Sequence, residues 1–225
     1  MNKRTDTPIS LTEEQIASAL SPFHVHLSAE QTSKVREYIR LLLKWNQSVS
    51  LTSIVDPTEI LARHFGESMF VRSLVPVENC RLADVGSGAG FPGLALKIAS
   101  PDLHVVLIES NRKKCAFLSE VARALGLTNV EILPARFDEI RVAPGFAEIV
   151  TARALGGFPN ILRWAGSALA NRGHAILWLG GEDTTKVSGI PGWIWQPAIR
   201  IPESQRRFIV IGRPRPEQDL SLHSR

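Results

Sequence analysis

The sequence is poor in cysteine and has no long apolar run. Its 225 residues include only two cysteines, Cys80 and Cys115, which are too few for a disulfide framework or a zinc site. No uninterrupted apolar stretch approaches the roughly 18 residues that a membrane-spanning helix needs. The first ten residues are polar and lack the apolar core of a signal peptide. We therefore expect a cytoplasmic protein with no membrane segment and no metal site.

The charge is divided unevenly along the chain. Residues 1–70 carry 7 Lys/Arg and 8 Asp/Glu, a net charge of −1, whereas residues 71–225 carry 19 and 14, a net charge of +5. A basic half suits a polyanion such as nucleic acid, because neutralising phosphates releases counterions. A mildly basic, solvated surface would have the same composition, so charge alone does not decide between them.

The first 70 residues have the pattern of amphipathic helices. The pairs Ser10–Glu13 and Ser28–Gln31 each fit a capping box. Asp56 followed by Pro57 indicates a third helix start, with an aspartate cap and proline at the first helical position. Helical periodicity predicts an inward-facing set of Val35, Tyr38, Ile39, Leu42, Trp45, Ile60, Leu61, His64, Phe65 and Met69.

From about residue 80 short apolar strands alternate with helices. This alternation predicts a mostly parallel sheet with helices on both faces. We divide the chain into a helical extension (1–72), an α/β domain (73–212) and a flexible C-terminal tail (213–225). The predicted strands are 81–85, 105–108, 130–133, 148–150, 175–179 and 208–211, and the predicted helices are 94–98, 112–125 and 160–170.

A glycine-rich segment follows the first of these strands. Counting from Gly86 and Gly88, the third glycine of a dinucleotide-binding fingerprint would fall at Phe91, which cannot replace it. The spacing Gly86, Gly88, Gly90 is instead G-x-G-x-G, which is typical of class I S-adenosylmethionine-dependent methyltransferases. A register starting at Gly88 and ending at Gly93 restores the fingerprint, but it runs past the end of the strand.

Acidic residues follow the next two strands. Glu109 ends the second strand, where a carboxylate can accept hydrogen bonds from both hydroxyls of an adenosyl ribose; NAD contains such a ribose too. Asp138 could accept from the adenine amino group, and the backbone N–H of Phe137 could bind the neighbouring ring nitrogen. The alternatives are a helix N-terminal acid for Glu109 and a loop acid or cap for Asp138.

Together these segments resemble one family. Residues 50–52, 64–68, 84–93, 109–114, 117–118 and 151–154 occur in the order seen in the bacterial ribosomal RNA small subunit methyltransferase G family, also called glucose-inhibited division protein B. The resemblance covers residues 40 to 180. It implies an α/β, Rossmann-like class I methyltransferase with a mostly parallel seven-stranded sheet and an N-terminal helical extension.

The resemblance also implies a reaction and a substrate. The implied reaction is methylation of a guanine N7 near the decoding centre of 16S rRNA, in the 530 loop. S-adenosylmethionine is the implied cofactor, and 16S rRNA or the small ribosomal subunit is the implied partner of a monomeric enzyme. This chain departs from the family at Ser50 (usually Asn), at Glu67 (usually Asp) and at Leu179, where a Lys is usual. The cofactor-binding residues that follow from the motifs are Gly86, Gly88, Gly90, Phe91, Glu109, Phe137, Asp138 and Arg153.

The chemistry of guanine N7 fits what the sequence lacks. N7 carries a free lone pair and no proton, so methyl transfer needs no general base and we predict no catalytic residue. Methylation of an exocyclic amine typically uses an Asn/Asp-Pro-Pro-aromatic segment after the fourth strand. This sequence has Thr-Ala-Arg-Ala at that position, residues 151–154. Methylation at a pyrimidine carbon needs a cysteine nucleophile, for which neither Cys80 nor Cys115 is placed.

Basic residues and one histidine are candidates for RNA contacts. Arg112, Lys113 and Lys114 open a helix against the preference of its dipole, which favours a polyanion contact; a solvated charge run is the open alternative. Arg153 could pair with the donor's carboxylate, an RNA phosphate or a nearby acid. His64 is interpreted as a half-buried structural residue or a substrate contact. Two other functions stay open: a nicotinamide-dependent oxidoreductase, and a small-molecule methyltransferase or a donor-binding protein without catalysis.

Overall fold

The described part of the N-terminal extension, from residue 11 to residue 73, is mostly helical, as predicted. The computed structural model describes residues 11–154 and 156–216. Ser28 and Gln31 form the predicted capping box, and Asp56 caps the predicted third helix start. The predicted cap at Ser10 is wrong: Thr12 caps the first helix and pairs with Gln15, and Ser10 lies outside the described residues. The elements are α1 (Glu13–Leu20), α2 (Ala29–Asn46), α3 (Pro57–Ile60), a π-helical turn (Leu61–Gly66), α4 (Glu67–Met69) and a 3₁₀ turn (Phe70–Ser73).

The remainder of the described chain alternates strands and helices. Every predicted strand and helix is present, with ends shifted by a few residues. The strands are β1 (Arg81–Val85), β2 (His104–Ile108), β3 (Val130–Leu133), β4 (Ala147–Arg153), β5 (Leu169–Gly180), β6 (Trp193–Trp195), β7 (Ile199–Arg200) and β8 (Arg207–Pro214). The helices between them are α5 (Gly93–Ala99), α6 (Arg112–Ala124), α7 (Phe158–Ala168) and α8 (Gly181–Ser188).

All eight strands belong to one sheet. Its order is β3-β2-β1-β4-β5-β8-β6, and β7 pairs with β8 beside this path. Strands β1 to β5 run parallel, whereas β8 is antiparallel to β5, β6 and β7. The predicted mostly parallel sheet is confirmed. The seven strands of the main path match the predicted number, and the two-residue β7 is an addition.

Alternation along each strand separates two apolar cores. In β1, Leu82 faces one core while Ala83 and Val85 face the other. The core that contains Leu82 is shared with α5, α6 and the N-terminal helices, so the helical extension packs directly against one face of the sheet. Helices α7 and α8 cover the opposite face. A residue's place along a strand therefore decides which layer of helices it contacts.

The C-terminal end of the described chain is strand rather than tail. Arg213 and Pro214 belong to β8 and pair with Ile194 and Trp193, so the strand runs past the predicted boundary at residue 212. Residues 217–225 of the predicted tail lie outside the described residues. The rings of Trp193 and Trp195 in β6 are stacked, with their centroids 5.3 Å apart. None of the helices in the described part of the chain is long and apolar enough to cross a membrane.

Candidate functional site

A cavity lies where the strand order reverses. From β1 the chain proceeds to β2 and β3 on one side, and β4 then returns to the other side of β1. Open α/β sheets bind ligands at such a point, outside the carboxyl ends of the strands. The cavity has a volume of about 440 Å³. We call it the glycine-loop cavity; its lining is Leu51, His64, Gly86, Ser87, Gly88, Ala89, Phe91, Ile108, Glu109, Ser110, Lys114, Ala135, Arg136, Phe137, Arg153 and Ala154.

The loop after β1 is held against the end of β2. Gly86 N–H and Ser87 N–H both donate to the carbonyl of Ile108, at 2.8 and 3.1 Å. Gly88 has φ +57°, a left-handed conformation that favours glycine, and its N–H donates to Glu109 Oε2 at 2.9 Å. The loop therefore presents backbone rather than side chain to the cavity at this position.

Glu109 is a buried carboxylate at the wall of the cavity. It is 8% exposed, and its Oε1 accepts from the N–H of Asn111 at 2.8 Å. Each carboxylate oxygen thus accepts one backbone hydrogen bond, from Gly88 or Asn111. Since an ionised carboxylate has about four lone-pair sites, Glu109 retains acceptor capacity for hydroxyl groups of a ligand.

Aromatic rings from the helical extension hold the other end of the loop. Phe91 stacks on Tyr38 of α2 at 5.2 Å and on His64 at 4.7 Å. The Tyr38 hydroxyl donates to the carbonyl of Ala89 at 2.6 Å. Gly90 leaves no room for a side chain, because a Cβ there would lie 2.2 Å from the Tyr38 hydroxyl. The extension therefore fixes the shape of the glycine loop.

His64 lies in the π-helical turn and lines the cavity. Its Nε2 is 2.8 Å from Thr52 Oγ1. Burial, together with the nearby charges of Arg153 and Arg63, lowers the pKa of His64 from 6.5 to about 3. The imidazole is consequently neutral at physiological pH.

Arg153, at the end of β4, is held by a buried carboxylate from the extension. Its Nη2 donates to Glu67 Oε2 at 3.1 Å and to the carbonyl of Arg63 at 2.6 Å. The other oxygen of Glu67 accepts from Nε of Arg207, at the start of β8, at 2.7 Å. Glu67 has a side chain only 2% exposed, so one carboxylate compensates two guanidinium groups and joins α4 to β4 and β8.

Asp84 at the end of β1 is a structural acid behind the loop. Its Oδ1 accepts from the Thr151 hydroxyl at 2.8 Å and its Oδ2 from the N–H of Gly93 at 3.2 Å. Complete burial raises the pKa of Asp84 to about 6, although both hydrogen bonds oppose that shift. Asp84 thereby connects β1, β4 and the start of α5.

The structure brings most, but not all, of the predicted site residues to one cavity. Gly90 packs against Tyr38 instead, and Asp138 forms a bidentate pair with Arg136 on the surface. Arg112 and Lys113 are exposed at the start of α6 and do not line the cavity. The predicted residues that line it are His64, Gly86, Gly88, Phe91, Glu109, Lys114, Phe137 and Arg153.

Two residues that shape the site were not predicted to do so. Tyr38 was predicted only as a core residue, although it is the only tyrosine in the sequence. Glu67 was noted only as a departure from the family. A charged residue between Phe65 and Met69, in a stretch predicted to face inward, was a signal of a buried ion pair. No group of three or more His, Cys, Asp and Glu side chains that could hold a metal occurs among residues 11–154 and 156–216.

Comparison with solved structures defines the fold. A structure described as a SAM dependent methyltransferase from Aquifex aeolicus superposes with a TM-score of 0.59 at 16% identity, over 70% of this chain and 93% of that one. This chain therefore shares the fold of that methyltransferase structure.

Sequence comparison defines the family. The sequence model of rRNA small subunit methyltransferase G matches residues 31–188. A relative of that name from Desulfitobacterium hafniense is 38% identical over 73% of this chain and 69% of its own, and one from Xylella fastidiosa is 37% identical over 79% and 84%. The chain belongs to the rRNA small subunit methyltransferase G family. It is an S-adenosylmethionine-dependent methyltransferase that acts on rRNA, which decides against the oxidoreductase, small-molecule and non-catalytic alternatives.

Proposed function

We propose that this enzyme methylates N7 of a guanine near the decoding centre of 16S rRNA. The substrate is 16S rRNA or the small ribosomal subunit, and the enzyme acts as a monomer in the cytoplasm. One observation carries the choice of N7. The only histidine lining the cavity among the described residues, His64, is stacked on Phe91 and bound to Thr52, and its burial lowers its pKa to about 3, so it is too weak a base to take a proton from an acceptor near neutral pH. N7 is an acceptor that needs no such base.

The residues of the glycine-loop cavity fit the methyl donor. We assign the adenosyl ribose to Glu109, whose carboxylate has acceptor capacity left, and the adenine to the segment at Phe137. The cavity volume of about 440 Å³ lies within the range of roughly 300–1,000 Å³ that is common for ligand sites. Gly86, Gly88 and Phe91 border the donor from the loop side. Asp138 would have to leave its pair with Arg136 to take part.

The chain's own residues position the reactants and exchange no proton. S-adenosylmethionine, when bound, supplies a methyl group on a sulfonium sulfur. Glu109 and the glycine loop would hold this donor, and the guanine N7 would accept the methyl group through its lone pair without losing a proton. The aromatic stack on Phe91 and the ion pairs of Arg153 keep the walls of the cavity fixed, so catalysis rests on proximity and orientation.

Mapping of methylated bases tests the proposal directly. Ribosomal RNA from cells with and without this protein is compared for 7-methylguanine, using cleavage of the modified positions. We expect one 16S guanine near the decoding centre to lose its modification without the protein and to regain it when the gene is restored. Loss of a methyl group from another base or from another RNA would refute the proposal and leave the methyltransferase class intact.

The rate of methyl transfer should be independent of pH between about 7 and 8.5, because no base has to remove a proton from the acceptor. The pKa values of His64, about 3, and of Asp84, about 6, both lie below this range. The measurement is single-turnover transfer at saturating donor. A rate of transfer that rises with pH within this range, and that becomes independent of pH in His64→Gln, would show that a base is required.

Binding of rRNA should depend on the basic start of α6. We expect Arg112→Ala to weaken rRNA binding. It should also reduce the magnitude of the slope of log affinity against log salt by about 1, which is the contribution of one phosphate contact. Arg123→Ala is the matched control, since it removes the same charge from the exposed far end of the same helix. Filter binding at several salt concentrations separates the two variants. Equal slopes for both would make Arg112 a solvated surface charge.

A further inference from the structure

A second cavity opens beside the glycine-loop cavity, at the carboxyl ends of β4 and β5. It has a volume of about 640 Å³, and we call it the β5 cavity. Ala154 lines both cavities, so the two lie on either side of the end of β4. A methyl group bound in the first cavity can therefore face a ligand in the second, provided that the ligand reaches the region of Ala154.

The β5 cavity has aromatic walls. Phe158, the first residue of α7, is half-buried, and Trp178 of β5 is 7% exposed. The indole N–H of Trp178 donates to the carbonyl of Glu67 at 2.9 Å, which fixes the ring. Enzymes that modify a base within a nucleic acid extrude it into a pocket of aromatic and apolar side chains. These walls suit a flat heterocycle.

The polar groups of this cavity are a donor and an acceptor side by side. Of the lining residues that the structure describes, Asp183 is the only acid and Lys186 the only base, and Asp183 Oδ1 accepts from Lys186 Nζ at 2.7 Å. The pair lies on α8 with side chains 37% and 64% exposed. A partly exposed ion pair of this kind contributes little to stability.

The ammonium group of Lys186 and the carboxylate of Asp183 match the Watson–Crick edge of guanine. The Watson–Crick edge of guanine presents the O6 acceptor beside two donors, the N1–H and the N2 amino group. An ammonium group can donate to O6 while the neighbouring carboxylate accepts from N1–H and the amino group. Adenine offers its amino group as the single donor on this edge, beside the N1 acceptor, and would fill one carboxylate oxygen. Guanine offers two adjacent donors, so an adjacent ammonium and carboxylate favour guanine.

We propose that the β5 cavity receives the acceptor guanine beside the aromatic side chains of Phe158 and Trp178, and that Asp183 and Lys186 read its Watson–Crick edge. This inference rests on the proposed function and adds how the base is selected. Recognition through that edge leaves N7, which lies on the other edge of the purine, unblocked. Asp183 and Lys186 are then specificity-determining residues that take no part in the transfer of the methyl group.

The experiment compares guanine with inosine at the methylated position. Inosine keeps N7, O6 and N1–H and lacks only the 2-amino group. Single-turnover methylation is measured on 16S rRNA that carries guanosine or inosine at that position, both as free RNA and reconstituted into small ribosomal subunits. The wild-type enzyme should favour guanosine by about tenfold or more, the effect of one hydrogen bond to a charged acceptor. Asp183→Ala should methylate both RNAs at similar, reduced rates, with unchanged S-adenosylmethionine affinity.

Glu182→Ala is the matched control, because Glu182 is the exposed neighbour of Asp183 on α8 and does not line the cavity. It should keep the wild-type preference. If Asp183→Ala also keeps that preference, or if the wild type does not discriminate between the two RNAs, the proposed recognition is refuted. A wild-type enzyme that methylates neither RNA refutes the proposed function itself, so the two failures are distinct.

Discussion

Replacing Glu67 with glutamine is expected to lower the free energy of unfolding by about 3–5 kcal/mol. The neutral amide would leave Arg153 without its counter-charge, although the Arg153 side chain is only 15% exposed. It would also remove the ion pair between Glu67 and Arg207. Removing one partner of a buried pair is costly because the remaining charge stays desolvated. Urea unfolding should show a lower midpoint with an unchanged slope.

Glu59→Gln provides the matched control for this prediction. Glu59 pairs with Arg63 at 3.0 Å on the same helical segment, but both side chains are well exposed, at 47% and 39%. Exposed pairs of this spacing contribute about 0.3–0.5 kcal/mol. Glu67→Asp, which keeps the charge, should lose less stability than Glu67→Gln. If Glu67→Gln costs no more than Glu59→Gln, the buried carboxylate does not anchor the extension.

The same variant should affect the cofactor site. Because Glu67 holds the guanidinium of Arg153 at the wall of the glycine-loop cavity, Glu67→Gln should also weaken S-adenosylmethionine binding at a temperature where the variant remains folded. Unchanged affinity in a folded variant would restrict Glu67 to a purely structural role.

Sequence patterns predicted the sheet because its signals are local. Each strand is a short apolar run, and the carboxyl ends of parallel strands meet at one edge. Gly88 after β1 and Glu109 after β2 were therefore expected at one site. In the structure the backbone nitrogen of Gly88 lies 2.9 Å from Oε2 of Glu109. The capping box at Ser28 depends on residues three positions apart and was likewise predictable.

Contacts between distant segments were not predictable in this way. Periodicity placed Tyr38 on the inner face of α2 but could not show that its hydroxyl binds Ala89, 51 residues later. The partners of Glu67, at Arg153 and Arg207, are 86 and 140 residues away. Asp138 was expected in the site because it follows β3. In the structure it pairs with its near neighbour Arg136 and does not line the cavity.

Replacing Glu109 with alanine is expected to reduce the affinity for S-adenosylmethionine by at least about ten- to a hundredfold. Hydrogen bonds to a charged group are worth about 1.5–3 kcal/mol, which corresponds to that range. Two losses combine here: the acceptor for the ribose hydroxyls, and the acceptor that holds the N–H groups of Gly88 and Asn111. Calorimetry with the purified protein measures the change, and Glu131→Ala, which removes an exposed acid from the neighbouring β3, is the control.

A ligand without one hydroxyl separates these two losses. The 2′-deoxy analogue of S-adenosylhomocysteine lacks one hydroxyl that Glu109 is proposed to bind, so the wild type should bind it more weakly than the parent compound. Glu109→Ala should bind both compounds with similar, low affinity, because the partner of that hydroxyl is already gone. The interaction energy between the Glu109→Ala substitution and the removal of the hydroxyl then measures the direct contact. Any effect of the substitution on the conformation of the glycine loop cancels in this difference. If the variant still discriminates as strongly as the wild type, Glu109 supports the loop at Gly88 and does not bind that hydroxyl.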